Sequence, residues 1–326
     1  MTARVGVVVI GRNEGERLRA SLRSLGDQPH VVYVDSGSDD GSQELARSVG
    51  VTVADLHVPP AFTAGRARNR GVAVLLEAVP GLEYIQMVDG DSTVEPGWIE
   101  TGVAALDGDP GLAGVFGRLA EVAPNRSLYN RLCDLEWDVP VGPVRATGGN
   151  AMFRVAALRQ VGSYAEALVA GEEPDLCLRM TVAGGWRFAR LDAAMGRHDA
   201  AMTRFAQWWT RARRAGYAAG EHVARHRAAA LPGDVAQVRR MLIWGIGLPV
   251  SAAVATALSA FYRAFGWWAA AVVALYLLQI LRLASRGRAL FPSVRQALAA
   301  GGLGVLHQVA AASGLIAQRL RQRPRC

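Results

Sequence analysis

Two long uncharged segments near the C-terminus constrain the fold of this chain more than any other feature of its sequence. Residues 241–261 are 21 positions without a charge, residues 264–281 are another 18, and only Tyr262 and Arg263 separate them. As helices they would be about 31 Å and about 27 Å long, close to the thickness of the hydrocarbon core of a bilayer. We therefore predict two membrane spans at about 241–261 and 264–281, joined as a tight hairpin, rather than two buried core helices.

Arginines flank both predicted spans on the same side. Arg239 and Arg240 precede the first span and three arginines follow the second, whereas the turn between the spans holds Arg263 alone (the three are Arg282, Arg286 and Arg288). Positive charge near a span is retained on the cytoplasmic side of a membrane. The pattern predicts a multi-pass protein of the plasma (inner) membrane with its N-terminal part in the cytoplasm.

A third uncharged segment, residues 296–318, leaves two interpretations open. It contains four glycines and His307, and four arginines follow it (Arg319, Arg321, Arg323 and Arg325). If the segment crossed the membrane, these arginines would face outward, against the usual bias. We therefore favour an interfacial or re-entrant helix and keep a third span as the alternative.

Charge is divided unevenly along the chain. Residues 1–200 carry 19 Arg against 26 acidic residues, a net charge of −7, whereas residues 201–326 carry 17 Arg against 2 acidic residues, a net charge of +15. A nucleic-acid enzyme more often spreads positive charge over its folded domain, so we predict no nucleic-acid partner. We predict three regions: a folded domain at 1–200, amphipathic Arg- and Trp-rich linker helices at 201–238, and a membrane region at 239–326.

The first hundred residues alternate short β-rich runs with helical patterns. The runs at 5–10, 31–34, 51–53 and 84–88 are predicted strands, and the segments at 17–25, 42–49 and 64–76 are predicted helices. Such alternation is typical of an α/β fold with a mostly parallel sheet flanked by helices. Neither a GxGxxG fingerprint nor a P-loop is present, which disfavours a dinucleotide-binding or P-loop domain.

Acidic residues follow two of the predicted strands. Asp35 opens the turn segment 35–42 after the second strand, and Asp89 and Asp91 follow the fourth as a DxD pair. A turn and a helix N-cap would account for the first set. Two carboxylates one residue apart after a buried strand can also hold a nucleotide and a Mg²⁺ or Mn²⁺ ion, which prefer oxygen ligands.

Three later motifs allow both a structural and a functional reading. Gly149 and Asn150 lie in a glycine-rich loop that is either a tight turn or a ligand-facing segment. Glu172, Glu173 and Asp175 begin a predicted helix, where acids complement the helix dipole or supply a general base. His198 is either structural or a metal ligand.

In order and spacing, these motifs resemble the family 2 glycosyltransferases over roughly residues 5–215. The opening segment Arg12-Asn13-Glu14, the turn at 35–42, the helix around Arg68, the DxD and the Glu-Asp-like pair Glu172-Glu173 all carry the resemblance. It implies an inverting enzyme with the GT-A fold in a catalytic domain at 1–200. It also implies that Asp91 and His198 bind a metal ion and that Glu173 is the general base. The residues that it implies for substrate and nucleotide binding are Glu14, Asp35, Arg68, Asp89, Gly149 and Asn150. Because Glu173 stands where Asp is usual, Glu172 and Asp175 remain alternative bases.

The resemblance predicts a hexosyltransferase-type enzyme at the cytoplasmic face of the membrane. It would use Mg²⁺ or Mn²⁺ to move a sugar from a nucleotide-sugar donor to a hydroxyl of a lipid-linked or glycan acceptor, as in polysaccharide biosynthesis. Two alternatives remain open. One is a polyprenyl-phosphate sugar synthase, and the other is a catalytically silent membrane partner in a polysaccharide assembly complex.

Overall fold

A computed structural model describes residues 4–56, 62–226, 229 and 232–322 of the 326-residue chain. The chain packs into two compact units, which are described separately. The first consists of residues 1–126 and 133–201, and the second of residues 127–132 and 202–326. Two of the arginines considered above lie outside the described residues (Arg323 and Arg325).

A nine-stranded sheet forms the centre of the first unit, with strand order β3-β2-β1-β4-β8-β6-β9-β5 and β7 added beside β9. The strands are β1 Val5–Gly11, β2 Val31–Asp35, β3 Thr52–Asp55, β4 Tyr84–Asp89, β5 Ser92–Val94, β6 Leu112–Glu121, β7 Gly142–Val144, β8 Ala151–Arg154 and β9 Arg187–His198. The helices of this part of the chain are α1 Glu16–Ser24, α2 Ser42–Ser48, α3 Ala64–Ala78, α4 Trp98–Gly108, α5 Leu128–Trp137, α6 Val155–Gln160 and α7 Glu172–Gly184.

Strands β1 to β4 form the parallel half of the sheet, as the sequence predicts. Residues 5–9 of β1 are buried, and hydrophobic clusters cover the sheet on both faces, which explains the unbroken apolar runs of these strands. Crossover helices α1, α2 and α3 return the chain, so that β1, β2 and β4 all end at one edge. The polar residues that follow these strands meet at this edge.

Strands of mixed direction complete the sheet and bring a distant residue to the same edge. Strand β8 pairs antiparallel with β4, and the 12-residue β9 pairs parallel with β6 and antiparallel with β5. The last residue of β9, His198, lies opposite Ser92 in this ladder. The pairing therefore places His198 beside Asp91, 107 positions away in sequence.

The second unit contains the predicted hairpin. Helix α9 Pro232–Leu242, a π-helical turn at Ile243–Gly247 and α10 Leu248–Leu258 follow one another directly, and α11 Ala264–Arg286 returns after a short turn. These helices and α12 Val294–Gln322 are long and apolar enough to cross a membrane, because 18-residue windows within 232–258, 264–286 and 294–321 have mean hydropathies of 1.8, 1.8 and 1.3. Many large apolar side chains of the hairpin are exposed, such as Phe261 and Trp267, which are 80% and 79% exposed. Exposure of this extent suits contact with lipid tails.

Helix α12 crosses the hairpin instead of running along it. Near its start, the backbone at Gly301 touches Ile280 of α11. Further along, Gln308 lies against Gly245, and Leu315 packs with Met241, so that α12 moves from α11 to the start of the first hairpin helix. All of these contacts fall near the arginine-bearing end of the hairpin, and none of them approaches the turn at 259–263.

Helix α8 Phe205–Arg225 packs closely on α12. Its buried residues, Trp208, Ala212, Gly216 and Gly220, recur at every fourth position and form one face. The side-chain oxygen of Gln207 accepts hydrogen bonds from the backbone N–H groups of Thr203 (3.0 Å) and Arg204 (2.9 Å), which closes the start of the helix.

Candidate active site

The DxD pair lies at the carboxyl end of β4, at the centre of the sheet edge. Asp89 is the last residue of the strand, and Asp91 follows after Gly90 in a turn that leads into β5. A Cβ atom at Gly90 would lie 3.1 Å from both the backbone oxygen of Ile10 and the Cγ atom of Glu14. Glycine at this position therefore allows the ends of β1 and β4 to approach each other closely.

Asp91 and His198 form the candidate metal pair. The Oδ2 atom of Asp91 lies 3.3 Å from the Nε2 atom of His198, and the Oε2 atom of Glu121 lies 4.0 Å from the Nδ1 atom on the far side of the imidazole ring. The Trp137 ring packs edge-on against the imidazole, with centroids 4.4 Å apart. These neighbours fix the orientation of the imidazole, as partners behind a metal-ligating histidine commonly do.

The charges of this pair depend on each other. Burial favours neutral His198, but the Asp91 and Glu121 carboxylates outweigh it and raise the pKa of His198 to about 9. Burial likewise opposes ionisation of Asp91, but His198 holds the pKa of this carboxyl below its ordinary value. A metal ion bound here would take the place of the imidazolium proton, because only neutral imidazole ligates metals.

The donor set fits a divalent cation that is shared with a phosphate-bearing ligand. Within 4–56, 62–226, 229 and 232–322, no group of three or more His, Cys, Asp or Glu residues is arranged to hold a metal by itself. Mg²⁺ is usually bound by one or two carboxylates, with substrate phosphates and water completing its coordination. One carboxylate and one imidazole at the open end of the sheet meet that description.

Arg68 connects the DxD to the start of α7. Its guanidinium is 3% exposed and lies within 2.9 Å of Asp89 and within 2.8 Å of both Glu172 and Glu173. Tyr164 covers the guanidinium at 5.5 Å from the ring centroid. One buried cation is therefore shared by three carboxylates, and Arg68 holds them together.

Burial and the neighbouring negative charge change the protonation of Glu173. Burial is the main cause, and repulsion from Glu172 adds to it, so that the pKa of Glu173 rises to about 7 even though Arg68 favours the ionised form. A carboxylate with a pKa near neutrality is well suited to act as a general base at physiological pH.

Accessibility separates the three candidate bases. The side chains of Glu173 and Glu172 are 14% and 9% exposed, and that of Asp175 is 2% exposed and ion-paired with Arg179 at 2.8 Å. Asp175 points into the protein, where it braces α7 against the loop that receives the other nitrogens of Arg179. Among the three, Glu173 has the greatest access to a ligand.

The glycine-rich loop packs directly against the DxD. The backbone N–H of Asp89 donates a hydrogen bond to the side-chain oxygen of Asn150 at 3.0 Å, and the Asn150 amide reaches back to Asp89 Oδ2 at 3.3 Å. A Cβ atom at Gly149 would lie 2.5 Å from an Arg68 nitrogen and 2.7 Å from Asp89 Oδ2. Glycine is therefore required at 149 for the loop to lie against Arg68 and Asp89.

Asp35 shapes the turn after β2. Its carboxylate accepts hydrogen bonds from the Tyr33 and Ser38 hydroxyls, from two backbone N–H groups and from Gln43, at 2.5–3.0 Å. Burial opposes its ionisation, but these bonds, led by those from Ser38, hold the pKa of Asp35 below its ordinary value. All of these partners belong to the protein, so the carboxylate acts first as an anchor of the turn.

Asn13 and Glu14 join this turn to the DxD. Asn13 has a positive φ of 58°, and its backbone N–H and side-chain oxygen form hydrogen bonds of 2.9 Å with Ser38 and Asp39. Glu14 is paired with Arg17 at 2.6 Å. Burial and the nearby Asp91 charge raise the pKa of Glu14.

The structure thus brings together all nine residues singled out in the sequence, and it adds four that sequence reasoning missed as members of the site. These are Asn13, Arg17, Glu121 and Trp137. Asn13 could have been found, because Asn is the residue that most often replaces Gly at positive φ. No local signal marks Glu121 and Trp137, which reach His198 only through the pairing of β6 and β9 and the packing of α5.

Comparison with known proteins gives a consistent result. Residues 6–162 match the model of the family described as glycosyl transferase family 2. Over 212 residues, the chain is 29% identical to a pre-mycofactocin glycosyltransferase of Mycobacterium tuberculosis, an alignment that covers 60% of this chain and 42% of that protein. It is 25% identical over 194 residues to the glycosyltransferase AglE of Haloferax volcanii, covering 55% and 62% respectively. The chain thus spans about half the length of the curated relatives that it matches.

A solved structure extends the likeness to the fold. The mannosyltransferase PcManGT from Pyrobaculum calidifontis, in complex with GDP-Man and Mn²⁺, superposes with a TM-score of 0.64 at 18% identity, covering 98% of this chain and 88% of the other. This likeness confirms the GT-A fold and the α/β class that the sequence predicts.

Proposed function

Because residues 6–162 make this chain a member of glycosyltransferase family 2, we propose that it is a membrane-anchored enzyme that transfers a hexose from a nucleotide-diphosphate sugar to a hydroxyl group. The observation that carries this proposal is the single edge of the sheet at which Asp89, Asp91, His198 and Glu173 meet around Arg68. The acceptor is a lipid-linked or glycan hydroxyl, and the reaction inverts the anomeric centre in a single displacement.

Asp91 and His198 are proposed to hold a Mg²⁺ or Mn²⁺ ion together with the donor diphosphate. When bound, the ion neutralises charge on the departing nucleoside diphosphate. Glu121 and Trp137 keep the His198 ring turned toward Asp91. The complex of PcManGT with GDP-Man and Mn²⁺ supports a divalent ion in this fold.

Glu173 is proposed to accept the proton of the acceptor hydroxyl. Its raised pKa leaves about half of the molecules deprotonated at pH 7, and its oxygen is held at a fixed position by the 2.8 Å contact with Arg68. Arg68 is too buried to meet the donor freely, so we assign it a positioning role for Asp89 and Glu173. The donor nucleoside is proposed to lie along the ends of β1, β2 and β4, against the turn that Asp35, Asn13 and Glu14 support and beside Asp89 and the loop of Gly149 and Asn150.

The membrane hairpin is proposed to span the plasma membrane with its arginine end in the cytoplasm. Arg239, Arg240, Arg282 and Arg286 share that end, and Arg263 is the single arginine in the turn at the other end. Helix α12, which crosses the hairpin at the arginine end, is proposed to lie at the cytoplasmic interface. The three predicted regions 1–200, 201–238 and 239–326 agree with this proposal.

The proposal is tested by release of nucleoside diphosphate from UDP-, GDP- and dTDP-sugars, using the full chain in nanodiscs with Mn²⁺. We expect one donor class to be consumed, and we expect chelation of the metal to abolish turnover. Asp91→Asn should reduce turnover at least about 100-fold. Glu100→Gln is the matched control, because Glu100 is an exposed carboxylate on α4 outside the site, and it should behave as wild type. Full activity of Asp91→Asn would refute the site.

Two alternatives predict different results in the same assay. A polyprenyl-phosphate sugar synthase has a phosphate acceptor that needs no strong base, so Glu173→Gln would retain wild-type turnover with polyprenyl phosphate. A catalytically silent partner would bind no nucleoside diphosphate in calorimetry with Mn²⁺. The intact set of carboxylates counts against the silent partner.

A further inference from the structure

A further polar site lies where α12 crosses the hairpin. It belongs to the second unit, residues 127–132 and 202–326, which is called the membrane unit below. A cavity of about 420 Å³ opens between three helices at this crossing. Arg240 of α9, Arg282 and Arg286 of α11, and Gln308 of α12 contribute its polar lining. The glycosyl-transfer site described above uses none of these residues.

The cavity carries positive charge without local compensation. Its lining contains three arginines and no acidic residue. In the part of the chain that the structure describes, none of these three arginines forms an ion pair with an acidic side chain. The whole of 201–326 contains only Glu221 and Asp234 as acids, and Asp234 lies 3.9 Å from His222. Three guanidinium groups around one cavity create a strong preference for an anion.

Neutral groups in the wall add hydrogen-bonding capacity. Gln279 and Gln308 both line the cavity, and the Gln308 side-chain oxygen is buried with no hydrogen-bond partner among the described residues. An amide can present either its oxygen or its NH₂ group after half a turn about its last side-chain bond. Such a group is costly to bury unless a ligand satisfies it.

The remaining lining is apolar and indicates what the anion is attached to. Trp244, Leu283 and Val305 face the same cavity as the arginines. Trp244 belongs to the first turns of the uncharged segment 241–261, whereas Arg240 lies just before that segment. A ligand that satisfies both parts of the wall has an anionic head and a hydrocarbon chain. Aromatic and cationic residues are also those that anchor proteins at the membrane interface.

We propose that this cavity binds the phosphate head of a lipid, such as a polyprenyl phosphate, at the edge of the membrane. Arg240, Arg282 and Arg286 donate charge-assisted hydrogen bonds to the phosphate oxygens. The start of the lipid chain lies against Trp244, Leu283 and Val305. The proposal rests on the membrane placement of the hairpin given above, but it holds whether the bound lipid is the acceptor or a resident lipid.

Binding of farnesyl phosphate, farnesol and inorganic phosphate to the full chain in detergent, measured by native mass spectrometry and calorimetry, tests the proposal. We expect farnesyl phosphate to bind and farnesol to bind at least about tenfold more weakly. Inorganic phosphate should also bind more weakly, because it lacks the chain. Equal affinity for inorganic and farnesyl phosphate would overturn the lipid assignment and indicate a site for a free anion.

Two neighbouring arginines provide a matched pair of variants. Arg239 and Arg240 are both exposed and adjacent in α9, but only Arg240 lines the cavity. Arg240→Gln and Arg282→Gln should each weaken binding of farnesyl phosphate about tenfold or more, and Arg239→Gln should change it less than twofold. Equal losses in Arg239→Gln and Arg240→Gln would reduce the effect to general surface charge and refute the proposal.

Hydrolysis of the nucleotide sugar by water, measured as release of nucleoside diphosphate without a lipid acceptor, tests the glycosyltransferase function independently of this proposal. Hydrolysis of the nucleotide sugar needs only the site at the sheet edge, so it should be retained in Arg240→Gln and Arg282→Gln. Lipid binding without any turnover in wild type would leave the cavity proposal standing while refuting the proposed enzyme. Turnover without specific lipid binding would refute the cavity proposal and leave the proposed enzyme standing.

Discussion

At the scale of single residues, the central feature is one buried guanidinium that serves three carboxylates. Arg68 contacts Asp89 at the end of β4 and Glu172 and Glu173 at the start of α7. Removing either kind of partner leaves buried charge uncompensated, which is costly. The network therefore couples the position of the DxD to the protonation of the proposed base.

The first prediction concerns the pH dependence of turnover. In the wild type, kcat/KM should rise with pH and level off above about pH 7, because Glu173, with its pKa raised to about 7, acts only when deprotonated. Glu172→Gln removes a negative neighbour and so lowers the pKa of Glu173, which moves the acidic limb of the profile to lower pH. Glu173→Gln should lose about 10²- to 10⁴-fold in rate.

Glu100→Gln again serves as the control and should leave the midpoint unchanged. A midpoint that stays in place in Glu172→Gln would contradict the coupling. A larger loss of rate in Glu172→Gln than in Glu173→Gln would assign the base to Glu172.

The second prediction concerns the glycine-rich loop. Gly149→Ala places a methyl group within 2.7 Å of both Arg68 and Asp89, so we expect a destabilisation of about 1–3 kcal/mol. Gly148→Ala makes the same change in open space, where no atom lies within 4 Å of the added Cβ. Thermal unfolding should show a lower Tm for Gly149→Ala alone, and equal stability of the two variants would contradict the packing described.

The sequence predicts which residues lie together at the sheet edge better than it predicts the contacts that each of them makes. Asp89, Asp91 and Glu173 can be identified from the sequence because they stand at strand ends or a helix start, where local pattern and chemistry agree. Burial cannot be identified from a local pattern. It makes Asp35 an anchor of its turn and Arg68 the link between carboxylates. Both effects depend on contacts between segments far apart in sequence.

At the scale of secondary-structure elements, the sequence predicts strands β1 to β4 to within about two residues, but it does not predict the mixed half of the sheet that β5 to β9 form. The runs at 5–10 and 84–88 correspond to β1 Val5–Gly11 and β4 Tyr84–Asp89. Strand β9, which contains His198, mixes charged and small residues with a few isolated large apolar ones and gives no strong apolar signal. Its position is set by pairing with β5 and β6, which a local pattern cannot specify.

The third prediction tests the contact between α8 and α12. A Cβ atom at Gly314 would clash with the backbone oxygen of Arg213, so the backbones of the two helices are in direct contact. Gly314→Ala should therefore lower the stability of the membrane unit by about 1–3 kcal/mol. Gly302→Ala, in the same helix but with no atom within 4 Å, should be neutral or stabilising through helix propensity.

Thermal unfolding of the full chain in detergent, followed by circular dichroism, provides the measurement. The expected order of Tm is Gly302→Ala at or above wild type, and Gly314→Ala below it. A Gly314→Ala protein as stable as Gly302→Ala would show that α8 and α12 do not pack as described.

At the scale of the whole molecule, the sequence divides into an acidic sheet-containing part and a basic apolar part, and the net charge of +8 describes neither. The predicted span at 264–281 falls within α11, whereas the one at 241–261 begins at the end of α9 and extends three residues beyond α10, which ends at Leu258. Length and composition alone also admit α12 as a third span. Its contacts at Gly301, Gln308 and Leu315 favour a helix that lies across the hairpin.

The fourth prediction tests this arrangement by labelling single cysteines in intact cells with a membrane-impermeant maleimide. Cys133 and Cys177 are buried, so Cys326→Ser gives a suitable background. Tyr262→Cys, in the turn of the hairpin, should react from outside, whereas Ser285→Cys should react only after permeabilisation. Leu320→Cys, near the end of α12, should behave like Ser285→Cys, and labelling from outside would make α12 a third span.

The crossing of α12 also has a mechanical consequence for the bilayer. In the proposed orientation, the outer leaflet accommodates the cross-section of two helices, while the inner leaflet accommodates these two and a 29-residue helix lying across them. The membrane unit then displaces more area in one leaflet than in the other and acts as a wedge. Such an insertion relieves packing stress where the inner leaflet is stretched, so in this orientation the stability of the inserted helices would depend on the lateral pressure and curvature of the bilayer.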